Sequence, residues 1–150
     1  MTGAEEMIDR LLASDEIRQL PKRYCHYLRR KDIDAILSLY ADDCSFDSPP
    51  VKMEAGTVEG GVIVGKEALR AIIERSLKLM DPWPFTHNHV IDFTGDDTAD
   101  GFVYAEIRSG GENFRLAVVG VYEDKYVKRN GVWLFKSRKL HGETVKGEQS

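Results

Sequence analysis

No stretch of this chain is long and apolar enough to cross a membrane, which takes roughly 20 apolar residues in a row, and no charged-then-apolar leader opens it. Neither a membrane span nor a secretory signal is expected, and a cytoplasmic location is. Cysteine is scarce: Cys25 and Cys44 are the two in the chain. They have no metal-ligand spacing and make no disulfide framework, so they read as small core residues in a reducing compartment. An excess of positive charge is also missing. The formal net charge of −4 argues against nucleic acid as a partner, because that affinity comes from Lys and Arg on phosphate. The one basic cluster, Arg29-Arg30-Lys31, fits a helix C-terminus matched to its dipole. No internal repeat or low-complexity tract is visible.

What is present describes a folded domain. A hydrophobic fraction of 42% and a charged fraction of 31% over 150 residues support one core and leave little room for a second. We therefore expect one domain over 1–150, with its core at about 14–143 and a tail at 144–150.

Helices come first and strands last. Met7, Ile8, Leu11 and Leu12 mark a short amphipathic helix over Ala4–Ala13, packed as a lid or brace. Ser14-Asp15-Glu16 is an N-cap followed by acids. Ile17, Leu20, Tyr24, Tyr27 and Leu28 then recur at helical spacing, with Pro21 expected to kink the helix or mark a junction near Leu20. Asp32 caps a second helix, whose stripe is Ile33, Ile36, Leu37, Leu39 and Tyr40. Cys44–Asp47 is a short strand, ended by Ser48-Pro49-Pro50. Residues 49–65 read as an irregular cover. A third helix spans Lys66–Met80, and Asp81-Pro82-Trp83-Pro84 breaks it. Four strands follow, turning at Thr94–Asp97, at Ser109–Gly111 and at Asn130-Gly131, a strong two-residue hairpin signal. Helices segregated from an antiparallel meander make an α+β domain.

The run Phe85-Thr86-His87-Asn88-His89-Val90-Ile91-Asp92-Phe93 carries two of the four histidines. It alternates like a strand, so His87 and His89 are expected on one face with Ile91 and Phe93. Two imidazoles entering an apolar chamber have their pKa lowered by burial and mutual repulsion, which suits a general base. The plainer reading is one buried, hydrogen-bonded histidine and one at the surface.

Several segments together resemble the SnoaL-like group of the ketosteroid isomerase, scytalone dehydratase and nuclear transport factor two superfamily. They are Ile17…Arg23-Tyr24…Leu28, Lys31-Asp32-Ile33-Asp34…Leu37…Leu39-Tyr40-Ala41-Asp42-Asp43-Cys44, Gly65-Lys66-Glu67-Ala68-Leu69, Asn88–Ala99, and Gly120–Val127 with Asn130-Gly131-Val132-Trp133. The resemblance implies a cystatin-like cone: a strongly curved, mainly antiparallel mixed sheet around about three helices, with an internal apolar pocket. It implies dehydratase or isomerase chemistry on hydrophobic small molecules without a cofactor, and a homodimer through the sheet. In dehydratase-type members an Asp follows five residues after the tyrosine matching Tyr24, and a pocket His precedes the asparagine matching Asn88. Here those positions hold Arg29 and Pro84.

The candidate catalytic residues are then His87, His89 and Tyr24, with a histidine as base and the phenol polarising a substrate carbonyl. Tyr40, Arg29, Tyr104 and Tyr122 are candidate substrate contacts; Arg29 has the fork to hold a carboxylate or enolate. Asp47 reads as solvent-facing, and His26 and His141 as surface residues without partners. Three functions are open: a lyase or isomerase acting on a cyclic carbonyl compound, a non-catalytic ligand-binding or dimerisation module, and a metal site built on His87 and His89.

Overall fold

The computed structural model describes residues 2–144, so all of the expected tail except Thr144 lies outside the described residues. Helix α1 runs unbroken over Gly3–Arg30. Its start is a capping box: Thr2 Oγ1 accepts from the Glu5 amide at 3.1 Å, and Glu5 Oε2 accepts from the Thr2 amide at 3.0 Å. The two pieces expected here are therefore one helix. Pro21 removes one helical hydrogen bond, a cost of about 3 kcal/mol. Burial of Ile17, Leu20, Tyr24 and Leu28 along the same face offsets it. The expected brace is not packed: Met7, Ile8, Leu11 and Leu12 are exposed.

Helix α2 is short, Ile33–Leu37, with Asp32 as its cap. Tyr40 is not on this helix; it begins β1, Tyr40–Ser48. The expected loop at 49–65 is a small hairpin, β2 (Val51–Met53) and β3 (Gly56–Val58), followed by β4 (Gly61–Val64). Helix α3 is Lys66–Leu79. Four long strands complete the fold: β5 (Pro82–Phe93), β6 (Thr98–Ser109), β7 (Arg115–Arg129) and β8 (Val132–Thr144). Asn130 and Gly131, both at positive φ, make the tight turn between the last two. Pro82 and Pro84 sit within β5 instead of ending an element. They are tolerated because β5 is an edge strand.

The main sheet has the order β4-β1-β8-β7-β6-β5 and is not closed. It is antiparallel except where β1 pairs in parallel with β8. The helices pack on one face of this curved sheet, giving the α+β arrangement expected.

Three consecutive cross-strand rows line the inner face. The first is His89, Val103, Tyr122, Leu140; the second Ile91, Gly101, Asp124, Arg138; the third Phe93, Ala99, Tyr126, Phe135. Gly101 matters because a Cβ there would meet the Tyr126 hydroxyl at 2.7 Å and the Val90 carbonyl at 2.9 Å. Its missing side chain lets Tyr126 reach across the second row. Gly101→Ala is expected to lower stability by about 1–3 kcal/mol through overpacking, read from a urea melt.

Candidate functional site

A β-bulge separates the two histidines of β5. The register shifts between Thr86 and His89, with one extra residue on β5. Thr86 and His89 consequently turn inward, and His87 turns out. The expectation that His87 and His89 share a face is thus corrected: the alternation used to place them skips a step at the bulge. His87 is half exposed and lies 4.0 Å from Glu106 on the outer face. Its replacement by alanine is expected to change stability by less than about 0.5 kcal/mol. Among the described residues no group of three or more His, Cys, Asp or Glu is placed to hold a metal.

His89 joins a buried polar chain. Its Nε2 is 2.8 Å from the Tyr126 hydroxyl, which donates to Asp124 Oδ2 at 3.0 Å. Asp124 is held by Arg138 at both oxygens, Nε to Oδ1 at 2.7 Å and Nη2 to Oδ2 at 3.2 Å. Tyr126 has one proton, and Asp124 accepts it. His89 must therefore donate from Nε2, which leaves its lone pair on Nδ1. Burial, with Arg138, Arg18 and Lys22 adding to it, lowers the His89 pKa to about 4, so the ring is neutral at pH 7. Burial raises the Asp124 carboxyl, while the guanidinium on both its oxygens works against that and keeps the pair charged together.

Arg138 is 2% exposed. Its guanidinium lies against the rings of Tyr122 (3.7 Å), Phe135 (4.4 Å) and Tyr24 (4.9 Å). Such desolvated cation–π contacts are worth about 2 kcal/mol or more. A second bulge makes this possible. Between Tyr126–Phe135 and Lys125–Ser137 the register slips at Lys136, bringing Arg138 inward opposite Asp124. Arg138 was not foreseen from the sequence.

The apolar pocket lies beside this cluster, between α1, α3, the β2–β3 hairpin and the sheet. Leu28, Leu69, Ile72, Ile73, Val51, Val58, Val118 and Leu140 form most of its wall, with the aromatic rings of Tyr24, Tyr122 and Phe46. Its inner volume is about 80 Å³, well under the roughly 150 Å³ of an engineered cavity that takes benzene. A single ring therefore enters only with displacement of side chains at the mouth. Tyr24 and Tyr122 are neutral hydroxyls here, since burial raises both phenols. Among the described residues no histidine or carboxylate lines the wall.

The remaining candidates are dispersed. Tyr40 is buried in the core against Tyr24 and Phe135 and does not line the pocket. Arg29 stacks on Trp83 at 4.0 Å, bonds Asp81 at 2.6 Å and donates to the Pro82 carbonyl, beside the pocket wall. Tyr104 faces outward and is half exposed. Pro84, at the position of the family histidine, is half-buried on β5. His141, expected without a partner, bonds Glu123 at 2.8 Å, and His26 stacks on Tyr27.

Comparison with solved structures finds the same architecture. A protein of unknown function with a cystatin-like fold from Nostoc punctiforme is 22% identical, with TM-score 0.73, over 88% of this chain and 92% of that one. A putative scytalone dehydratase from Novosphingobium aromaticivorans is 22% identical, with TM-score 0.73, over 96% and 93%. A hexachlorocyclohexane dehydrochlorinase, LinA-type3, from Novosphingobium barchaimii is 18% identical, with TM-score 0.71, over 95% and 97%. At these identities the likeness speaks for the fold. Comparison with curated proteins gives no match. The sequence model of the SnoaL-like domain matches residues 9–139, and with the pocketed α+β cone around it this chain belongs to the SnoaL-like domain family.

Proposed function

We propose that this protein binds a small, single-ring hydrophobic compound bearing a carbonyl or hydroxyl oxygen, and acts on it as a cofactor-independent lyase or isomerase. One observation carries the reading: the wall of a largely apolar pocket, which also carries Ser48 and Ser76, includes two buried, neutral phenols, Tyr24 and Tyr122. Donors fixed in a dry site stabilise charge that develops on a substrate oxygen, as in enolisation or elimination next to a carbonyl. The structural neighbours whose names describe loss of water and loss of hydrogen chloride support the class.

A second reading, the same pocket binding a ligand without turnover, is favoured by a wall that carries no histidine or carboxylate among the described residues. His89 has the lone pair for the task, yet it is engaged with Tyr126 and is not a lining residue.

Deuterium exchange separates the two. Cyclohexenone in heavy water, followed by NMR, should bind and lose its α-protons faster than in buffer. Tyr24→Phe and Tyr122→Phe should each weaken binding about threefold to tenfold, the worth of one hydrogen bond. Binding with exchange at the buffer rate selects the second reading. Failure of this and related small cyclic ketones to bind rejects both.

We also propose a homodimer through the outer face of the sheet. Phe85, Val90, Phe102, Tyr104 and Val119 are exposed on neighbouring strands there, more apolar side chains than an unpartnered face usually shows. Sedimentation of the wild type should give a dimer at micromolar concentration and Phe102→Asp a monomer; a monomeric wild type rejects the dimer. The free thiols of Cys25 and Cys44 fit a cytoplasmic setting, and no described helix is long and apolar enough to cross a membrane.

A further inference from the structure

A second hollow of about 300 Å³ adjoins the pocket. Its sides are Glu54 and Ala55 of the β2–β3 turn, Lys78 near the end of α3, and Ser109 and Gly111 at the end of β6. All of these except Ser109 are exposed, so this hollow is a vestibule open to solvent. Among the described residues Met80 is the one that borders both it and the inner pocket. The backbone around Met80 is tied down. Its own N–H donates to the Ser76 carbonyl at 3.0 Å, and the Gly110 N–H donates to the Asp81 carbonyl at 2.8 Å. Arg29 bonds the Asp81 carboxylate at 2.6 Å and the Pro82 carbonyl at 3.3 Å. The half-buried Met80 side chain is held by apolar packing against the neighbouring core cluster. It has three rotatable bonds and a thioether that adapts to irregular gaps.

We propose that Met80 is the gate of the pocket and sets its one-ring limit: a ligand passes from the vestibule beneath the Met80 side chain, which closes behind a single ring and excludes a second fused one. The inference rests on the reading of this pocket as a ligand site and adds its entry route and the residue that fixes its size. The inner volume of about 80 Å³ admits a ring only when a wall side chain moves, since a benzene-sized cavity measures roughly 150 Å³. Swinging the β2–β3 hairpin away instead would break the bond from Arg75 to the Thr57 carbonyl, 3.1 Å. It would also expose Val51, Met53 and Val58, all buried, at a cost in apolar area. Rotation of one methionine into the vestibule breaks no hydrogen bond and uncovers far less apolar surface. Trimming Met80 would join the two hollows and leave space for a second ring.

The test compares cyclohexenone with 1-tetralone, which shares the ketone and adds a fused ring, in NMR titrations of the intact protein. The wild type should bind 1-tetralone at least about tenfold more weakly than cyclohexenone, and Met80→Ala should bring the two within about threefold, the scale on which pocket size discriminates. Leu77→Ala trims the inner wall away from the vestibule, so it should change the affinity for both ketones together. Met80→Trp should slow the association of cyclohexenone about tenfold or more by obstructing the passage. If the alanine variant does not fold, the wild-type ratio and the tryptophan variant decide. A wild type that takes both ketones alike, an equal gain of 1-tetralone in Leu77→Ala, or unslowed entry in Met80→Trp overturns the gate and leaves the pocket as a ligand site. If neither ketone binds the wild type or Met80→Ala, the gate and the site are both overturned.

Discussion

Arg138→Met alone is expected to lower the unfolding free energy by about 3–5 kcal/mol, the usual cost of stranding one charge of a buried pair. Asp124 would then keep a carboxylate in the core with the Tyr126 hydroxyl as its remaining partner. Removing both charges, with Arg138→Met and Asp124→Asn together, should cost much less, because the desolvation of the ions disappears along with their attraction. The cation–π contacts with Tyr122, Phe135 and Tyr24 are lost in both variants, so the difference between them isolates the charge. Urea unfolding of the wild type, both single variants and the double variant gives the coupling directly. Equal costs for single and double variants would show that the pair contributes through packing and not through its charge.

Acid should destabilise the protein through His89. In the unfolded chain a histidine titrates near its ordinary value of about 6.5, whereas in the fold it titrates at about 4. Above the first value both states are neutral and the group contributes nothing to the pH dependence. As the pH falls from 6.5 towards 4, the unfolded chain takes up a proton that the folded chain refuses, so stability falls. Below the second value both states are protonated and the loss is complete. The full shift corresponds to about 3 kcal/mol; discounted for the partial exposure of the ring, about 2 kcal/mol is expected. His89→Gln keeps a donor to Tyr126 and removes the titration. Its urea-melt stability should therefore fall less than the wild type's between pH 7 and pH 4.5. Parallel curves would show that His89 is not held neutral.

The order of elements was legible because it rests on period and caps. Asp32, the stripe of the third helix and Asn130-Gly131 each specify a local structure. The long first helix was not, since Pro21 is a breaker by local rules and tertiary burial overrides it. The site was legible only in part, for a single physical reason. His89 and Arg138 are both placed by bulges, and a bulge leaves no mark on a hydrophobic pattern. Counting outward from the Asn130-Gly131 turn sets Asp124 opposite Ser137. The one-residue slip at Lys136 substitutes Arg138 and turns an unremarkable strand arginine into the largest buried charged side chain of the core. Tyr24 and Tyr122 needed no bulge, and both could be proposed as pocket residues from helical and strand periodicity alone.

The parallel pairing of β1 with β8 also bears on how the molecule forms. Tyr40 pairs with Phe135 across most of the sequence, and contacts so distant in the chain are slow to find each other. During synthesis α1, α2 and β1 leave the ribosome well before β8 exists. The hairpins of the meander can close as they emerge, but the cage around Arg138 joins α1 to β7 and β8 and must wait for the last described strand. Until then Tyr24 and Tyr40 lack their cover and Asp124 lacks its counter-ion. The nascent chain would carry its least soluble surface and its least satisfied charge together, which makes this interval the one in which a chaperone or an aggregating neighbour has most purchase.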